Sequence, residues 1–120
     1  MAKYLLLIYG DQQAWAEMEP EERQRIEAGH RRFSAAAGAA VYGGHELAPP
    51  GTATSLRGPR NGDRPEITDA PFVESKEVIG GFYLIDVADL DEAIRLAALL
   101  PETAATYESG VEIRPVIEAV

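Results

Sequence analysis

A chain of 120 residues with 46% hydrophobic, 26% charged and 8% aromatic residues has the length of one domain, 1–120, and a globular composition, which excludes disorder and low complexity. Twenty acidic residues against eleven basic ones give a formal charge of −9, which opposes binding to phosphate backbones and anionic lipid, so neither nucleic acid nor membrane is an expected partner. The chain has no cysteine, which removes disulfides, thiolate metal sites and thiol nucleophiles and is compatible with a cytoplasmic location.

Residues 3–9, KYLLLIY, are a short apolar run closed by Gly10-Asp11, and that length predicts a strand with apolar side chains on both faces. Pro20 starts a helix, with Glu21 and Glu22 near the positive end of its dipole, and Gly38 stops it. Within it Ile26, His30, Phe33 and Ala37 recur at steps of four, three and four residues, which puts them on one inward stripe. Residues 39–47 predict a second strand, whose Gly43-Gly44 pair signals a bulge or a close approach by another group. Residues 52–57 and 64–70 flank the turn signal Asn61-Gly62 and predict a hairpin. Residues 78–87 predict a strand with Phe82, Leu84 and Asp86 on one face and Tyr83, Ile85 and Val87 on the other. Asp89, with Glu92 three residues on, starts a helix whose inward stripe is Leu90, Ala93, Ile94, Ala97 and Leu100, and Pro101 marks its end or a kink. Residues 110–116 supply the last strand.

This order is the ferredoxin-like βαββαβ plan of the α+β class, with a β-hairpin inserted in the middle. Two helices cover one face of such a sheet. The apolar residues on the other face need a second cover, and a homodimer packed sheet to sheet is the expected one.

For chemistry, His30 stands out because it interrupts an apolar stripe with the one side chain that titrates near neutrality. The same pattern also suits a half-buried histidine satisfied by a hydrogen bond. Tyr9, Phe72 and Tyr83 are candidates for an apolar pocket edged by hydroxyls, or for plain core. Glu74 and Lys76 place opposite charges on one loop, to meet a polar ligand or to tie the loop down, and Arg114 is a candidate partner for a substrate carboxylate. Ser34, Ser55, Ser75 and Ser109 lack a nucleophile-elbow context, and the glycine pairs lie within strands and not at phosphate-binding turns. His30, His45, Asp69 and Glu74 lack the spacing that brings two ligands onto one face, so no metal is expected.

The segments KYLLLIYGD, TDAPFVESKE, GGFYLIDVADLDEA and GVEIRPV, taken in order, resemble the YCII-related family, and within it the DGPF-domain branch. That resemblance implies a dimeric α+β barrel, small bacterial proteins of mostly unknown biochemistry, and an association with extracytoplasmic-function sigma factors. It also implies a catalytic dyad of a histidine on the first helix and a nearby aspartate, which in this sequence map to His30 and Asp69. Ala70 stands where the branch has glycine, a departure that narrows or alters the site if the glycine serves positive φ or close ligand approach, and leaves the loop unchanged if the extended pre-proline backbone is all the position needs. Two functions follow as expectations. One is a cofactor-independent enzyme of lyase or isomerase type acting on a small metabolite; the other is a non-catalytic ligand-binding or regulatory module linked to a sigma factor.

Overall fold

The computed structural model describes residues 2–59, 62, 64–104 and 109–118. In chain order it runs through β1 (Ala2–Asp11), a short helix α1 (Gln12–Ala16), α2 (Pro20–Ala37), β2 (Val41–Glu46), β3 (Ser55–Arg57), β4 (Glu66–Thr68), β5 (Glu77–Val87), α3 (Leu90–Ala97) and β6 (Gly110–Pro115). Turns of 3-10 helix lie at Gly38–Ala40, Pro50–Thr52 and Pro101–Thr103.

Local chemistry explains the boundaries. Pro20 opens α2, where its missing N–H costs nothing, and Gly38 closes it with φ 54°, a conformation that glycine adopts without a Cβ penalty. Asp89 caps α3 by accepting from the backbone N–H of Glu92 at 2.9 Å. Asp11 caps α1 in the same way, accepting from Gln13 N at 2.8 Å and Ala14 N at 3.1 Å. Helix α1 was not expected from the sequence; its five residues are too few for a hydrophobic period to register.

The main sheet has the order β2-β5-β1-β6, antiparallel throughout. Strands β1 and β2 therefore flank β5, and β5 and β6 flank β1, two interlocked split βαβ units that define the ferredoxin-like α+β fold. Tyr4, Leu6, Ile85 and Val87 face the helices and bury Phe33, Ala93, Leu96, Ala97 and Leu100 in one core. Leu96 replaces Leu90 and Ile94 on the inward stripe expected for α3; both of those are exposed, because the helix is rolled to seat Ala93 and Ala97 flat on the sheet. On the opposite face, Leu5, Leu7, Phe82 and Leu84 lie outside the core cluster and are half-buried.

Strands β3 and β4 pair as a separate two-stranded ribbon, Ser55 to Thr68, Leu56 to Ile67 and Arg57 to Glu66. The hairpin expected from the sequence is thus present with shorter strands, while Asn61 of its turn signal lies outside the described residues. Among the described residues no helix is long and apolar enough to cross a membrane.

Candidate functional site

His30 sits on the inward stripe of α2, one turn before the fully buried Phe33. Tyr83 comes up from the helix-facing side of β5. Its ring packs against Phe33 at 4.7 Å between centroids and stacks on His30 at 5.8 Å. It can lie there because β2 offers Gly44 beneath it: a Cβ at that position would stand 2.6 Å from Tyr83 Cδ1 and from the Phe82 carbonyl oxygen. The close approach foreseen for the glycine pair is that of the Tyr83 ring.

Glu102 arrives from the third side, on the 3-10 turn Pro101–Thr103. That turn docks against α2 at Gly29, where a Cβ would meet Pro101 Cγ at 2.8 Å, so the glycine beside His30 is what lets the turn come close. Ser109 fixes the turn by donating its hydroxyl to the Glu102 carbonyl oxygen at 2.9 Å.

Both ring nitrogens of His30 are therefore engaged. Nδ1 lies 2.7 Å from the Tyr83 hydroxyl and Nε2 lies 2.8 Å from Glu102 Oε2. A carboxylate oxygen only accepts, so the neutral ring carries its proton on Nε2 and Nδ1 accepts from the Tyr83 O–H. Glu102 is 5% exposed, and its second oxygen, Oε1, is buried with no hydrogen-bond partner. A buried carboxylate with one free oxygen is costly, and its contact with His30 is the compensation the fold provides. Burial pushes the Tyr83 phenol above its usual range and the negative charge of Glu102 adds to this, while a hydrogen bond with Ser34 acts the other way. The phenol therefore keeps its proton at neutral pH. Tyr83, His30 and Glu102 make a chain of polar groups that ends on a buried carboxylate.

The aspartate expected beside His30 is elsewhere. Asp69 is exposed in the bend after β4, and within this chain the carboxylate on the imidazole is that of Glu102. Phe72 is exposed under the Arg57 guanidinium, 4.0 Å from its ring centre, and Glu74 is exposed on the same loop. Lys76 pairs with Asp11 at 3.5 Å. The backbone N–H of Ala14, then that of Gln13 and the Lys76 charge, hold the Asp11 carboxyl below its usual range. Arg114 donates from Nε to Glu112 at 3.1 Å. Tyr9 lines an open groove of about 610 Å³ with Glu77, Ser109, Gly110, Val111 and Glu112. Of the residues singled out in the sequence, the structure thus brings together His30 and Tyr83 and disperses the others. Among the described residues no group of three His, Asp or Glu side chains is placed to hold a metal ion.

The sequence does not mark Glu102 as a site residue. The available signal for Glu102 was indirect: a glycine next to His30 on the inward side of a helix implies that some backbone docks there, and Pro101-Glu102 follows a helix end. Nothing in the spacing says that the two meet.

A ferredoxin-like sheet with a histidine held between a phenol and a buried carboxylate defines a small α+β protein with a polar site under its helices. The family model of the YCII-related domain matches residues 2–120. Uncharacterized protein R00369 of Rhizobium meliloti (strain 1021) is 34% identical over 117 residues, covering 93% of this chain and 90% of that protein. The chain belongs to the YCII-related family.

Proposed function

We propose that this protein is a cofactor-independent acid–base catalyst of lyase or isomerase type acting on a small, carbonyl-bearing metabolite, with His30 as the proton carrier. The observation that carries this reading is the Tyr83–His30–Glu102 chain, in which Glu102, not Asp69, orients the ring. Since both nitrogens of His30 are occupied, a substrate proton enters at the Tyr83 oxygen as Tyr83 passes its own proton to Nδ1. The resulting imidazolium keeps its Nε2–H on Glu102, whose charge stabilises it, and the reverse transfer returns the proton to product. Tyr83 and His30 act as the catalytic residues and Glu102 as a positioning residue.

The test is hydrogen–deuterium exchange at carbon, followed by NMR in D2O over a panel of short oxo acids and cyclic ketones. The expected result is catalysed exchange for at least one compound, slowed by about 100-fold or more in His30→Ala. Exchange by His30→Ala at the native rate overturns the assignment. Membership of the DGPF branch and a sheet-to-sheet homodimer in the cytoplasm complete the proposal. The sigma-factor module rests on the DGPF resemblance; a blank exchange panel, together with retention of a sigma factor by the immobilised protein, selects it instead.

A further inference from the structure

The β3–β4 ribbon is left largely bare by its own chain. Its strands pair with each other and not with the main sheet, and the cross-strand neighbours Leu56 and Ile67 are 56% and 68% exposed. Ser55 donates to the Ala70 carbonyl oxygen and Arg57 to that of Phe72, each at 2.6 Å, so the ribbon and the loop that follows it are tied into one ordered unit. Phe72 and Val73 on that loop are exposed as well. An ordered ribbon with bare apolar side chains promotes association unless something covers it.

The size of the uncovered surface points to what does. The chain presents 8199 Å² of accessible surface. A compact monomer of this mass presents about 6300 Å², which leaves an excess of about 1900 Å². The radius of gyration is 16.3 Å and the extents are 49 × 42 × 18 Å. A compact 120-residue chain has a radius of about 13.6 Å. Two copies that buried this excess would remove about 3800 Å², inside the range of obligate homodimers.

We propose that the β3–β4 ribbon is a clasp that docks on a second copy of this chain, each ribbon lying on the body of the other protomer through Leu56, Ile67 and Phe72. This rests on the homodimer named above and adds to it a second contact region, distinct from the face of Leu5, Leu7, Phe82 and Leu84.

Sedimentation equilibrium on the full chain tests it, comparing the native protein with Leu56→Glu/Ile67→Glu and with Leu7→Glu on the sheet face. The native chain is expected to be a dimer, and the ribbon variant to raise its dissociation constant by about 100-fold with the circular dichroism of the fold unchanged. A native dimer that is insensitive to the ribbon substitutions, yet weakened by Leu7→Glu, overturns the clasp and leaves the sheet-face dimer standing. A native chain that is monomeric at about 100 μM overturns both.

Discussion

Gly29 and Pro101 touch so closely that a methyl group on the glycine would overlap the proline ring, its Cβ 2.8 Å from Pro101 Cγ. Because Glu102 follows Pro101 and His30 follows Gly29, this one contact sets the distance between the carboxylate and the imidazole. An alanine in a helix interior normally gains about 1 kcal/mol over glycine. Here overpacking against a rigid ring costs about 1–3 kcal/mol, so Gly29→Ala is expected to lose up to about 2 kcal/mol in urea unfolding. The same variant should alter the His30 ring signals by moving Glu102 away. A stabilised Gly29→Ala with native ring signals contradicts this account of the docking.

Tyr83 provides a second prediction, at alkaline pH. Its folded-state pKa is raised above the ordinary 10.0 by burial and by Glu102. The folded state therefore holds the phenolic proton more tightly than the unfolded chain does, and the stability this gives is complete below pH 10.0 and lost as pH rises through the raised value. Absorbance titration of phenolate should show one phenol ionising late, and that component should vanish in Tyr83→Phe. A titration unaltered in shape by the substitution contradicts the assignment.

Asp11 has the opposite sign. Its folded-state pKa lies below the ordinary 3.8, because the ionised carboxylate caps α1 and faces Lys76. Its contribution is complete above pH 3.8 and is lost as pH falls through the lowered value. Thermal melts of the native protein and Asp11→Ala should differ at neutral pH, with the native protein more stable, and converge in acid. Parallel curves down to low pH count against the cap.

How much of this was legible in the sequence differs between fold and site. The strands, the limits of α2 and the cap of α3 rest on local signals, Pro20, Gly38, Asp89 and the apolar runs, and local signals survive folding. The roll of α3 depends on which residues seat flat on the sheet, so Leu96 displaced Leu90 and Ile94 from the inward stripe for a reason visible only in packing. His30 and Tyr83 were identifiable as polar groups at core-facing positions. Their third partner was not, because Glu102 is 72 residues from His30 and meets it through the Gly29–Pro101 contact, which has no counterpart in periodicity or spacing. Resemblance points to Asp69 through the motif around it, and motif position does not determine which carboxylate reaches a side chain 39 residues earlier on another element.

The central claim is that Glu102 is the group that orients His30. Long-range nitrogen–proton NMR of the imidazoles tests it most directly, with His45 as the internal reference because the chain has only two histidines. The native protein is expected to show His30 with its proton on Nε2 and with Nδ1 accepting, the Nε2–H signal shifted downfield by a charged acceptor. In Glu102→Gln that signal should move upfield, while in Asp69→Asn it should stay where it is and His45 should not respond to either change. A His30 ring that shifts with Asp69→Asn and ignores Glu102→Gln would contradict the site described here and return the dyad to the aspartate.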